Sequence, residues 1–186
     1  MLRIFLSPLL VVLVILLIPS VEKALFYLPL IFSLSLSIVN FRKIKIRRIL
    51  GVFLSVVQSY AVFLGLAIVT LFADEFLQDI NISNNDEGFK GIVLVTVGGY
   101  LAALLLFYFY SFVFRIANKR FSYIVLSICY AVIVLVMQVF SKNEFLQFGV
   151  EKFSSFLISW IIFMSLAFSL AYNRDALMRF IDQRKQ

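Results

Sequence analysis

The sequence predicts an all-α protein, a polytopic membrane bundle of six helices with both ends of the chain in the cytoplasm. Three observations predict it. The 186 residues are 63% hydrophobic and 15% charged, against roughly 45–50% apolar and 25% charged in an ordinary soluble domain. The charges leave six uncharged runs, at 4–21, 24–41, 49–73, 91–114, 121–141 and 153–173. The connections between those runs alternate in charge.

Each run is close to the ~20 residues a helix needs to cross a hydrocarbon core of ~30 Å. Helix is the expected form because lipid cannot satisfy stray backbone N–H and C=O groups. A β-barrel needs polar residues that alternate along whole strands, and no run keeps such alternation along its length. The mean hydropathy of +1.04 is too high for a soluble globule this small to hide its apolar surface.

One set of connections carries Arg3, the loop with Arg42, Lys43, Lys45, Arg47 and Arg48, the loop with Arg115, Lys119 and Arg120, and the tail with Arg174, Arg179, Arg184 and Lys185. Only two acids, Asp175 and Asp182, accompany these thirteen basic residues. The other set holds four lysines among eight acids: Glu22, Asp74, Glu75, Asp79, Asp86, Glu87, Glu144 and Glu151. The positive-inside rule puts the arginine-rich set in the cytoplasm, with the plasma membrane, most simply a bacterial inner membrane, as the location. Residues 1–172 then form the transmembrane domain and 173–186 a short cytoplasmic tail.

Taken in order, the first run follows Met-Leu-Arg but has Ile18-Pro19-Ser20 where a signal peptide needs an Ala-x-Ala-like site, so it is expected to remain as a helix. Residues 19–23 make a tight hairpin to the second run, with Ser20 as its cap and Pro29 bending it. The third run carries Gly51, Ser55 and Ser59 four residues apart, then Ala61 and Gly65. The fourth pairs Gly98 with Ala102 and Gly99 with Ala103. Small residues at this spacing let backbones approach, so Gly51, Gly65, Gly98, Gly99 and Ala102 are the expected helix-packing positions and the third and fourth runs the closest pair. The tail reads as an amphipathic helix with Leu177, Phe180 and Ile181 on one face and Asn173 as its cap.

Collinear matches hint at a tandem hairpin repeat. Tyr27-Leu28 recurs as Tyr100-Leu101, Phe41-Arg42 as Phe114-Arg115, Leu54-Ser55 as Leu126-Ser127, and Glu75-Phe76-Leu77-Gln78 as Glu144-Phe145-Leu146-Gln147. The second and third runs, and the fourth and fifth, are then either copies of one hairpin or chance matches in low-complexity apolar sequence.

Candidate chemistry is sparse. With no histidine and one cysteine, Cys129, there is no His/Cys metal site, no histidine catalysis and no disulfide within the chain. Every charged residue lies in a loop, a tail or a helix end, which argues against a proton relay at mid-membrane. No cofactor is implied and no enzyme is expected. Gln58, Ser55, Ser59 and Ser35 are the candidate pore or substrate contacts, with interhelical hydrogen bonding as the plainer reading. Arg42, Lys43, Lys45, Arg47 and Arg48 are the candidate docking residues for anionic lipid or a protein partner. Nucleic acid is not an expected partner, since no soluble domain exists to read a groove. In the loop 74–90, Asp79, Asn81, Ser83 and Asn85 alternate as calcium ligands do, but Asn84 and Lys90 stand where an EF-hand needs Gly and Glu. Asn81-Ile82-Ser83 is a glycosylation sequon.

In size and in its six-helix plan the chain is similar to the substrate-binding subunits of energy-coupling-factor vitamin transporters. The resemblance is one of topology: the Ala-x-x-x-Ala docking motif of their first helix has no counterpart in the first run, which contains no alanine. Two functions remain open. One is a non-enzymatic membrane subunit acting by self-assembly or by docking a partner on its basic face, a class that includes immunity and defence components. The other is a channel or carrier for a neutral or hydrophobic substrate.

Overall fold

The computed structural model describes residues 2–18, 21–79, 94–116, 118–140 and 150–183. Among them are seven α-helices and no strand: α1 (Leu2–Leu16), α2 (Val21–Val39), α3 (Arg48–Asp79), α4 (Gly99–Val113), α5 (Lys119–Phe140), α6 (Val150–Tyr172) and α7 (Arg174–Gln183). A π-helical turn, Leu94–Gly98, leads into α4, and a 3₁₀ turn, Phe41–Lys43, follows α2. Ser20, the sequon and the Glu-Phe-Leu-Gln stretch at 144–147 lie outside the described residues.

Helix α6 is the hub. It packs against α1, α2, α4 and α5, and no described residue from 157 to 172 is exposed. Its large side chains Trp160, Met164 and Phe168 are buried in an aromatic column. Phe32 stacks on Tyr110 at 6.1 Å and meets Phe168 edge-on at 5.6 Å, and Phe114 stacks on Tyr172 at 5.0 Å. Such ring pairs contribute roughly 0.5–1.5 kcal/mol each beyond the area they bury.

The outer faces are as apolar as the core. Exposed stripes recur at helical spacing: Phe5, Leu9 and Leu13 on α1, Phe53, Val57 and Leu64 on α3, Leu101, Leu105, Tyr108 and Phe112 on α4, and Ile124, Ile128 and Leu135 on α5. Two stretches, Arg48–Leu66 and Thr96–Val113, are long and apolar enough to cross a membrane, while Ile4–Leu16, Phe26–Val39 and Leu157–Tyr172 are shorter apolar helices.

Three features depart from expectation. Helix α3 does not stop at the end of its uncharged run but continues past Asp74 and Glu75 to Asp79. The most extensive helix contact is α5 with α6, while α3 against α4 and the π-helical turn that leads into it is as extensive as α2 with α3; small-residue spacing on α3 says nothing of the α5–α6 interface, which the large buried side chains of α6 help to fill. The repeat also finds no echo in packing: α2 lies along α3, whereas α4 and α5 touch sparsely. Phe41 is 37% exposed but its match Phe114 is fully buried, and Tyr27 is exposed where Tyr100 bonds Ser127 at 2.8 Å. Leu and Phe recur so often in this chain that short matches need no common origin.

Candidate functional site at the basic end of the bundle

Helices α2, α4 and α6 all finish at the same end, and their last carbonyls carry partial negative charge that favours cations. The two basic loops lie across these ends. Ile44 pairs with Phe114 in an isolated antiparallel bridge, in which Lys45 N donates to Val113 O and Arg115 N to Lys43 O, each at 2.8 Å. The loop therefore has a strand-like period of two. Ile44 is buried and Ile46 half-buried, while Lys45 and Arg47 are exposed.

Gly51 makes this fit possible. A Cβ added there would lie 2.3 Å from Ile44 Cγ2 and 3.4 Å from both Ile46 Cγ1 and Val113 Cγ1. The first turn of α3 thus seats the isoleucines of the loop that precedes it.

The lysines close the remaining ends. Lys43 Nζ donates to Tyr172 O at the C-terminus of α6 and to Asn173 Oδ1 at 2.9 Å. Lys45 Nζ donates to Ser111 O in the last turn of α4 at 2.6 Å. The Asn173 amide donates to Ser169 O at 2.9 Å and to Asn40 Oδ1 at 3.3 Å, and Asn40 Nδ2 donates to Leu36 O. Asn173 does precede α7, but its main-chain carbonyl accepts the first helical bonds, from Ala176 N and Leu177 N. Its side-chain oxygen accepts from Lys43. Asn118 does cap a helix, its Oδ1 accepting from Phe121 N at 3.0 Å.

Of the five expected docking residues, Lys43 and Lys45 are thus turned onto helix ends. Arg48 lies over the Phe41 ring at 5.4 Å, and Arg42 and Arg47 are exposed. Arg115, whose main chain bonds Lys43, and Lys119 and Arg120 are exposed as well. Arg174 covers the Phe121 ring at 5.4 Å and sits 3.7 Å from Asp175.

The candidate pore residues lie inside the bundle. Ser55 meets Ser37 at 2.7 Å, Ser59 meets the Tyr110 hydroxyl at 2.6 Å, and that hydroxyl donates to Ser55 O at 3.1 Å. Ser35 accepts from Ser7 at 3.3 Å and donates to Phe32 O. All are buried. Gln58 is half-buried, and its Oε1 is buried with no hydrogen-bond partner among the described residues. A small cavity lies elsewhere, lined by Phe63, Leu66, Gly99, Ala102, Leu157 and Trp160, and its lining is wholly apolar.

The remaining packing positions divide. Gly99 is buried and its carbonyl accepts from Trp160 Nε1 at 3.1 Å, just after the π-helical turn. Ala102 is buried. An added Cβ at Gly98 would meet only the tip of Leu66, at 3.1 Å, and at Gly65 nothing within 4 Å. Spacing could not single out Trp160, Tyr110 or the Asn40–Asn173 pair. The alternation of isoleucine and lysine at 43–46 was the one signal of the bridge.

No protein-family model matches the chain, and no curated protein and no solved structure matches it.

Proposed function

We propose that the chain is a non-enzymatic subunit of the plasma membrane, crossing it six times with both ends on the basic side. It acts by assembling with copies of itself or by holding a partner at that basic end. The observation that carries this reading is the contrast between surfaces. Exposed apolar stripes ring the bundle, a surface far larger than soluble monomers tolerate. The interior hydroxyls of Ser37, Ser55, Ser59 and Tyr110 meanwhile bond to one another and to a carbonyl. A bundle whose interior hydroxyls pair across its helices in this way is suited to packing and docking. Cross-linking of tagged protein in intact membranes, followed by extraction in mild detergent, tests it. A defined oligomer or a stoichiometric partner is expected; an exclusively monomeric, unaccompanied chain overturns the reading.

One observation favours the alternative, a channel or carrier for a neutral or hydrophobic substrate: the buried Gln58 oxygen, without a partner among the described residues. Water at that position would supply the missing bond. Gln58→Cys in a Cys129→Ala background separates the two. Rapid reaction with a membrane-impermeant thiol reagent supports a pathway, and protection supports the assembly reading.

A further inference from the structure

Loops that serve only to orient a membrane protein need charge but no fixed shape. The two basic loops here are held by independent ties: the Ile44–Phe114 bridge, the isoleucines over Gly51, Lys45 on Ser111 O, and Lys43 on the α6–α7 junction. Six cations on these loops and at the helix starts that follow them are exposed: Arg42, Arg47, Arg48, Arg115, Lys119 and Arg120. None forms an ion pair with a carboxylate among the described residues.

Each cluster is also flanked by exposed apolar side chains on the adjoining helix surface. Ile49, next to Arg47 and Arg48, is 85% exposed; Phe112, before Arg115, is 57% exposed; Ile124, after Lys119 and Arg120, is 58% exposed. A phospholipid matches both halves of this arrangement, with a phosphate for the cations and an acyl chain for the apolar side chains below them. An acidic protein docking from the aqueous side would satisfy the charge and leave Ile49 and Phe112 uncovered. Guanidinium groups suit phosphate because they donate two parallel hydrogen bonds.

We propose that the two bridged loops form a preorganised clasp for the phosphate headgroups of anionic phospholipids in the adjoining leaflet. This rests on the membrane reading above and names the ligand of its basic end. The lysines that tie the loops down set the geometry, and the arginines at the rim make the contact. Binding of this kind weakens as salt screens the charges.

The test uses full-length protein in neutral detergent. Phosphatidylglycerol and phosphatidylcholine with identical chains are added, with inorganic phosphate as a separate arm. Thermal unfolding and lipid retention in native mass spectrometry are read. Phosphatidylglycerol is expected to protect and to be retained, phosphatidylcholine and free phosphate are not, and the preference is expected to fall as salt rises. The Arg42→Gln/Arg47→Gln/Arg115→Gln/Arg120→Gln variant, with Lys43 and Lys45 intact, should lose apparent affinity on the order of tenfold or more while its Trp160 fluorescence is unchanged. If that variant misfolds, the salt series on the unaltered protein decides. A preference that is absent, insensitive to salt, or intact in a folded variant overturns the clasp. So does an acidic protein displaced by the same substitutions from a chain with no lipid preference. A chain that stays soluble without detergent overturns the membrane reading itself; an embedded chain indifferent to headgroup charge overturns the clasp alone.

Discussion

Gly51→Ala is the most incisive substitution this structure offers. In a helix, glycine to alanine ordinarily adds stability, about 1 kcal/mol in a helix interior and less in the first turn, where Gly51 lies. Here the new methyl would sit 2.3 Å from Ile44 Cγ2. That atom branches from Cβ and belongs to a residue pinned by the bridge to Phe114, so it cannot swing aside as a long side-chain tip would. Overpacking of this sort costs about 1–3 kcal/mol, and the net expectation is a loss of about 1–2 kcal/mol. For a chain of this size that is a fall in Tm of roughly 2–8 °C on the scale of 2–4 °C per kcal/mol. Ile44→Leu moves the branch one carbon outward at nearly constant volume. In a thermal double-mutant cycle in detergent, the pair should be less unstable than the sum of its parts by about 1 kcal/mol or more. Gly51→Ala raising Tm, with no coupling to Ile44→Leu, would refute the reasoning, because helix propensity would then be the only term.

Other expectations follow from neighbouring contacts. Lys43→Met removes the cation from the end of α6 and from Asn173; it should cost about 1–2 kcal/mol and speed tryptic cleavage after Arg174, measured by timed digestion and mass analysis. Tyr110→Phe deletes the hydroxyl that joins Ser55 O to Ser59 and should lower stability by about 1 kcal/mol, the scale of a hydrogen bond between membrane helices, with part recovered by adding Ser59→Ala. The single tryptophan, Trp160, is buried, so its emission should be blue-shifted and resist aqueous iodide; ready quenching would contradict its position. In a Cys129→Ala background, cysteines at 42 and 120 should label from the cytoplasm and at 83 and 147 from outside, and any reversal would undo the six-span topology.

The helices were legible because lipid-scale apolar runs and charge breaks are long-range patterns that survive without an alignment. The alternation of charge likewise pointed to one basic end, and the loops at 41–48 and 114–116 do meet there through main-chain bonds. What escaped was which neighbour each residue faces. Gly51 and Gly65 are equivalent as small residues in one helix, yet one lies under an isoleucine and the other faces open space. Lys43 and Arg42 are equivalent as basic residues, yet only the lysine reaches a helix end. The hub role of α6 was equally invisible, since its composition resembles that of the helices around it and only packing sets it apart.

The length of α3 has a physical consequence of its own. Its uncharged part, 49–73, would extend about 37 Å at 1.5 Å per residue, against a hydrocarbon thickness of about 30 Å. An upright helix would strand roughly one and a half turns of apolar surface in water; a tilt near 35–40° would absorb the excess, at the upper limit of common values. Because α2 and α4 pack along the same helix, a change in tilt must carry both with it. In a chain that spans the membrane as proposed, bilayer thickness would thereby act on the bundle as a whole, and longer-chain lipids would let it stand straighter.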